Sequence, residues 1–398
     1  MFEQTKALCK MFLDMGIPSF DLIVYKDGEC IFRHMGGYVD VDKKIPTQGN
    51  EKYHIYSCSK LITCVAAMQL WEKGMFSLED DVADYIPAFK ELVVKTENGV
   101  RKANNSIKIL DLFRMTSGLN YDTSYPELVE YMNMPNNHCP TVEVANILAK
   151  SPLDFEPGEG WKYGFNHDVL GAIVEILSGE KFEDYVKNNI FDPLGMKNSS
   201  FLHPLEDWEG FAQQYKYNKE TNQFVPHWEK LLYLGKEHAS GGGGCVSTVD
   251  DYIKFLEALR IGDVILKKET IELMSTDKLE DKHREMYHGM AFEMGYGLGM
   301  RTPRLNPKRT EFGWGGAAGA YASVDPVNNM TIFYVQHVLS SPNASLRPWV
   351  YRAVRGDILG EKVEIPGIDE EYNAKITDSK NPKHNCFGFF IIIRNLLV

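Results

Sequence analysis

Ile55-Tyr56-Ser57-Cys58-Ser59-Lys60-Leu61-Ile62-Thr63-Cys64-Val65-Ala66-Ala67-Met68-Gln69-Leu70-Trp71-Glu72-Lys73-Gly74 is apolar on nearly every side at helical spacing. A helix of that kind is buried on most faces and belongs at the centre of a fold. Gly74 suits its C-terminal cap. Lys60 is a charged residue near the start of this apolar run, far from Glu72 and Lys73 at its end, and it stands three positions after Ser57. That spacing puts the two on one helix face, about a turn apart. A helix N-terminus adds free N–H groups and partial positive charge where an anion would develop. The pattern suits a serine nucleophile beside a lysine base, provided the lysine is held largely neutral, well below its usual ~10.4. Ser59 is the rival nucleophile, but next to Lys60 its side chain diverges from the amine. The plain alternative is a serine N-cap and a surface lysine.

Upstream of this run, residues 2–15 show helical spacing of apolar groups, stopped by Gly16-Ile17-Pro18. Two strand-like runs, 20–26 and 30–38, flank Asp27-Gly28, a hairpin dipeptide. Downstream, helical periods dominate, near 107–115, 126–132, 142–150, 167–178, 182–190, 248–260 and 268–275. From about 294 the chain returns to strand-like runs at 295–301, 321–325 and 331–337, with a turn at 326–329, then a helix near 345–358. Residues 361–386 are polar and read as loosely held, and 387–398 as a buried final strand, a non-native extension or a membrane-surface anchor. Strands at both ends and helices between predict an α/β (α+β) fold: one antiparallel sheet built from both chain ends, flanked by helices, with a helical domain inserted. The expected domains are 1–75 with 286–360 for the sheet, 76–285 for the helices, and 361–398 as an extension.

The chain has 398 residues, an ordinary globular composition, and 55 acidic against 43 basic side chains. A net charge of −12 repels phosphate backbones and disfavours a nucleic-acid partner. No run reaches the ~20 apolar residues of a membrane span. Seven scattered cysteines without a C-x-x-C pair, and an N-terminus that reads as an amphipathic helix, fit reduced thiols in a cytoplasmic protein.

Two further stretches carry candidate chemistry. Pro157-Gly158-Glu159-Gly160-Trp161-Lys162-Tyr163-Gly164-Phe165-Asn166-His167-Asp168 places Tyr163 in a loop just before a helix, where a phenol could relay a proton. Gly313-Trp314-Gly315-Gly316-Ala317-Ala318-Gly319 precedes a strand, so it is not a dinucleotide fingerprint, which must open a helix. Its glycines suggest backbone approached closely by a ligand, with an N–H serving as an oxyanion donor. Ser240-Gly241-Gly242-Gly243-Gly244 lacks the Lys-Ser/Thr of a P-loop and reads as a flexible or tightly turned segment near the domain junction. His167 and the other dispersed histidines show no metal-ligand spacing.

Taken in order, Ser57-Cys58-Ser59-Lys60, Met115-Thr116-Ser117-Gly118-Leu119, Pro157-Gly158 with Tyr163, Leu170-Gly171 and Pro193-Leu194-Gly195-Met196 resemble the serine β-lactamase and penicillin-binding-protein-like hydrolases. The resemblance runs over about 20–360 and is to the class C β-lactamase branch, nearest its carboxylesterase members. It implies Ser57 as acylated nucleophile, Lys60 as its base partner, Tyr163 as proton relay, and an oxyanion hole from the Ser57 and Ala317 N–H groups. Trp314, Gly315, Gly316, Phe165 and Asn166 would contact substrate. Two departures matter. Phe165 stands where lactamases and D-peptidases usually have asparagine, and Trp314-Gly315-Gly316 replaces their Lys-Thr-Gly or His-x-Gly. Without that cation a substrate carboxylate needs Arg301 or Lys308 instead. The resemblance therefore implies an apolar small-molecule ester and neither metal nor organic cofactor. β-Lactam or D-amino-acid peptide hydrolysis, and a binding protein without turnover, are the alternatives.

Overall fold

The structure is a computed structural model that describes residues 1–134, 138–204, 207–228, 231, 233–287 and 294–367. The run at 387–398 lies outside them. Helices used below are α1 (Glu3–Asp14), α2 (Ser59–Glu72), α3 (Asn166–Ser178), α4 (Val249–Ile261) and α5 (Trp349–Leu359). Strands are β1 (Ser19–Lys26), β2 (Glu29–Asp40), β3 (Ile45–Pro46), β4 (Gly295–Tyr296), β5 (Arg301–Thr302), β6 (Phe312–Gly315), β7 (Tyr321–Asp325) and β8 (Met330–Val335).

These strands form an eight-stranded antiparallel sheet in the order β4-β5-β6-β7-β8-β1-β2-β3. The two chain ends meet where β8 pairs with β1, with Leu22 opposite Tyr334. Asp27 (φ 54°) and Gly28 (φ 87°) close the β1–β2 hairpin, both in the left-handed region that tight hairpins require. Side chains alternate across the sheet. Leu22, Val24, Ile332 and Tyr334 join Phe12 of α1 and Tyr351 of α5 in one core. Ile23, Phe333 and Val335 join the core that holds Tyr252 and Phe255 of α4 and the apolar run of α2. The expected mixed fold, with its sheet drawn from both ends, is thus the observed one.

Three local expectations change. The run starting at Ile55 is not one helix. Lys52–His54 pairs as a strand with Val246–Thr248, Tyr56–Cys58 forms a 3-10 turn, and α2 begins only at Ser59. The run 295–301 is a hairpin, not a strand, because Gly297 N–H bonds the Met300 carbonyl and Gly299 takes φ 82°. Residues 361–367 are held, not loose: Gln4 bonds the Glu361 carbonyl and the Val363 N–H, and Ile365 is buried with α1.

Candidate active site

Ser57 is half-exposed within the 3-10 turn. Tyr56, the residue before it, has φ 46°, an uncommon conformation for a bulky side chain that must be held by its surroundings. The restraint is visible: the buried Tyr56 hydroxyl donates to Gln214 Oε1 at 2.5 Å. Ser59 is spent on the same turn. Its buried hydroxyl donates to the Tyr56 carbonyl (2.5 Å) and accepts from the Cys245 N–H (2.9 Å).

Lys60 is completely buried in the first turn of α2. Its Nζ reaches Ser57 Oγ at 3.4 Å, Tyr121 Oη at 2.9 Å and the Gly242 carbonyl at 2.5 Å. An ammonium has three N–H donors and no acceptor, so these three oxygens match the charged form. Burial works to lower it, but the bond to Tyr121 and the charge of Asp168 act the other way, and the net direction is above the ordinary lysine range. The three acceptor oxygens and the direction of this shift both run against the expected neutral resting amine. Burial also raises the Tyr121 phenol, which stays protonated beside the ammonium.

Tyr163 sits in the loop before α3, with its ring 4.6 Å from Lys60 Nζ. Its hydroxyl accepts from Trp314 Nε1 at 3.0 Å, and the two rings stack at 5.9 Å. The structure thus brings Ser57, Lys60, Tyr163 and Trp314 together. Phe165 is buried edge-on against Tyr121 at 4.7 Å, and the buried Asn166 accepts from Ser117 Oγ at 2.6 Å. Both support the site from behind.

The Gly316–Gly319 turn lies against the segment that carries Ser57. A Cβ on Gly316 would stand 2.3 Å from the Ile55 carbonyl oxygen, and Ala317 and Ala318 pack on Tyr56. The Gly316 N–H bonds the Ala320 carbonyl, and the Gly316 carbonyl accepts from the Gly319 N–H; the Ala317 N–H takes no part in these turn bonds.

Residues 240–244, read as a flexible or turned segment, form a tight wall over α2. Thr63 Oγ1 donates to the Gly241 carbonyl at 2.7 Å, beside the Gly242 contact to Lys60. A Cβ on Gly241 would stand 2.2 Å from the His167 carbonyl oxygen, and one on Gly242 2.4 Å from Asp168 Oδ2. Only glycine fits. Asp168 is buried and bonds Ser240 and His238 through Oδ1. Burial opposes its ionisation, but His238, Ser240 and the Lys60 charge hold it below the usual carboxylate range.

Neither proposed carboxylate anchor faces the site. Arg301 is buried, bonded to Glu311 (2.9 Å) and the Ala322 carbonyl (2.7 Å). Lys308 is near Glu361 at 3.7 Å. His167 is buried against Cys64, and no cluster of three metal-binding side chains occurs among the described residues. Sequence reasoning missed Tyr121 and Gly242. Tyr121 follows the Thr116-Ser117-Gly118-Leu119 motif by two residues, but no spacing to Lys60 reveals the contact.

Relatives share these lengths of chain. A putative D-alanyl-D-alanine carboxypeptidase of Escherichia coli K12 is 26% identical over 369 residues, covering 83% of this chain and 81% of that one. ML-236A carboxylate methylbutanoyltransferase of Penicillium citrinum is 29% identical over 286 residues, covering 68% and 66%. Among solved structures, EstCE1, described as a hydrolase with promiscuous acyltransferase activity, superposes with TM-score 0.74 at 23% identity over 89% of this chain and 98% of that one. Simvastatin synthase from Aspergillus terreus does so with TM-score 0.73 at 22%, covering 89% and 98%. These structural matches show the shared fold. The Beta-lactamase family model matches residues 6–355, and by that match the chain belongs to the Beta-lactamase family of the serine β-lactamase and penicillin-binding-protein-like superfamily.

Proposed function

We propose that the protein is a serine acyl hydrolase or acyl transferase acting on a small-molecule ester through a Ser57 acyl-enzyme. The observation that carries this reading is the buried Lys60 amine bonded at once to Ser57 Oγ and Tyr121, with Tyr163 against it. Lys60 and Tyr163 act as one proton-transfer unit. In the form one proton short of ammonium plus phenol, the unit accepts the Ser57 proton as Oγ attacks the ester carbonyl carbon. The oxyanion is held by the Ser57 and Ala317 N–H groups. The C–O bond to the leaving alcohol breaks and the unit returns the proton to that alcohol. Water, or a second alcohol, then repeats the steps in reverse and frees Ser57.

The names of two relatives, a methylbutanoyltransferase and a hydrolase with acyltransferase activity, support acyl transfer to an alcohol as readily as to water. A cavity of about 320 Å³ beside Tyr56 and Gly243 has Phe201, Leu202, Leu231 and Leu234 on its lining together with His54, His203, Lys236 and His238, and its apolar part supports an apolar acyl group. The engagement of Arg301 with Glu311 weighs against substrates anchored by a carboxylate, such as penicillins or D-alanyl peptides. The six cysteines among the described residues are free thiols, which supports a reducing cytoplasm. No helix of the described residues is long and apolar enough to cross a membrane.

The test is a pre-steady-state burst with p-nitrophenyl butyrate and a mass shift on Ser57. Nitrocefin is run in parallel. An absent burst and unlabelled Ser57 would overturn the reading, and a kcat/KM for nitrocefin far above that for the ester would replace it with β-lactam hydrolysis.

A further inference from the structure

The peptide that joins Gly316 to Ala317 has two ends with different roles. Its carbonyl, on Gly316, accepts from Arg347 Nη1 at 3.0 Å and from the Gly319 N–H at 3.0 Å. Its N–H, on Ala317, is the proposed second oxyanion donor. In a trans peptide the carbonyl and the N–H point in opposite directions, so a group that fixes one fixes the other. Arg347 itself is buried, immediately before the Pro348 cap of α5. Burial pushes its guanidinium down to about 10, which leaves it charged at neutral pH.

We propose that Arg347 is a positioning residue for the oxyanion hole, clamping and polarising the Gly316–Ala317 peptide from its carbonyl side. The inference rests on the acyl-enzyme reading above. A guanidinium on a carbonyl oxygen withdraws electron density through the amide and makes the N–H at the other end a stronger donor. Hydrogen bonds in series strengthen one another in this way, more so in a low-dielectric interior. A charged donor also gives a stronger bond than a neutral one. Oxyanion donors act only if they are already aimed when charge develops. The turn has the stiffness this needs: the Val338 N–H bonds the Ala318 carbonyl at 2.8 Å, and the Gln336 side chain packs where a Gly319 Cβ would stand, 2.1 Å from Cγ. Gln336 is itself tied to Ser341 and Asn343 (2.7 and 3.1 Å). Arg347 bonds the carbonyl side of this peptide and does not line the expected acyl cavity, so its effect falls on the transition state, where the oxyanion exists, and not on ester binding.

The experiment compares wild type, Arg347→Met and Arg347→Lys. Arg347→Met is expected to lower the acylation rate with p-nitrophenyl butyrate by ~10- to 100-fold with Ks, read from the concentration dependence of the burst, within about twofold, on the scale of a weakened oxyanion donor. Arg347→Lys, which keeps a charged donor, is expected to recover part of that loss. The acyl carbonyl stretch of the Ser57 ester, read by difference infrared spectroscopy, is expected to move to higher frequency in Arg347→Met, because a weaker hydrogen bond leaves more double-bond character. If Arg347→Met does not fold, the Lys variant carries the test through the same two readouts. An acylation rate within twofold of wild type, or an unmoved carbonyl band, overturns the role of Arg347 while leaving the acyl-enzyme intact. A wild type that forms no Ser57 ester overturns both.

Discussion

Lys60 donates to the Tyr121 hydroxyl at 2.9 Å, a shorter contact than the 3.4 Å it makes to Ser57. The lysine is therefore held first by a buried phenol and a backbone carbonyl, and only then meets the nucleophile. Its position is set by packing that exists before substrate arrives. Such preorganisation is the condition for an ammonium to stabilise a forming alkoxide without rearrangement.

Removing the Tyr121 hydroxyl tests this arrangement. Tyr121→Phe leaves the buried ammonium one acceptor short, which disfavours the charged form. The pH–rate profile for acylation should then shift to lower pH, with the rate down by about tenfold. Tyr163→Phe should cost more, roughly 10²–10⁴, as expected when a proton-transfer group is lost. Stopped-flow acylation across pH measures both. An unshifted profile in Tyr121→Phe would show that the phenol does not set the charge of Lys60.

Ser57 and Ser59 should separate cleanly. Ser57→Ala should abolish labelling by a phosphonate ester and leave stability near wild type. Ser59→Ala orphans the buried Cys245 N–H and loses the bond to the Tyr56 carbonyl, a loss of about 1–3 kcal/mol. Urea unfolding and intact mass read the two effects. Labelling that survives Ser57→Ala and disappears in Ser59→Ala would reassign the nucleophile.

Much of this site was legible in sequence because its catalytic candidates lie in short motifs. Ser57 and Lys60 are one turn apart, and Tyr163 precedes a helix that its own neighbours announce. The sheet was legible because the strand-like runs at 20–26 and 331–337 and the Asp27-Gly28 turn are local signals. What escaped were contacts made by folding distant segments together. Tyr121 meets Lys60 across 61 positions, and Gly242 across 182. The four glycines at 241–244 looked like slack, but the missing Cβ atoms of Gly241 and Gly242 are what let that wall close on His167 and Asp168. The surroundings of Lys60 escaped for the same reason: burial was visible in the apolar helix, while the oxygens that favour an ammonium were not.

Acid should destabilise the protein through two buried histidines. Burial lowers His167 to about 3 and His337 to about 4, against 6.5 for the free side chain. His337 must be neutral, since Nδ1 faces the Ala212 carbonyl and Nε2 accepts from the His54 N–H. Between pH 6.5 and about 4 the unfolded chain binds protons that the folded chain refuses. Their contribution is full above pH 6.5 and is lost as pH falls toward the folded values, at up to about 3 kcal/mol per pH unit for two groups. Urea midpoints at pH 6.5 and 4.5 should therefore fall further for wild type than for His167→Gln/His337→Gln. Equal losses would assign the acid sensitivity to other groups.

Gly242→Ala tests whether the glycine wall positions Lys60. The new methyl would stand 2.4 Å from Asp168 Oδ2, a distance no real contact tolerates. Asp168 is fixed by Ser240 and His238, so the wall must move instead, and with it the carbonyl that holds Lys60. Acylation should slow by about tenfold or more, because misplacing a catalytic group by a fraction of an ångström is costly. Stability should fall too, as for other overpacked cores, by about 1–3 kcal/mol. The clash predicts more than either loss alone. With Asp168→Ala in the same chain the methyl has room, so the combined stability loss should be smaller than the two single losses together. Groups in direct contact show such coupling, whereas distant ones add. Urea unfolding of the four proteins measures it. Strict additivity would mean that the methyl never meets the carboxylate, and that the wall does not hold Lys60 in the way the geometry indicates.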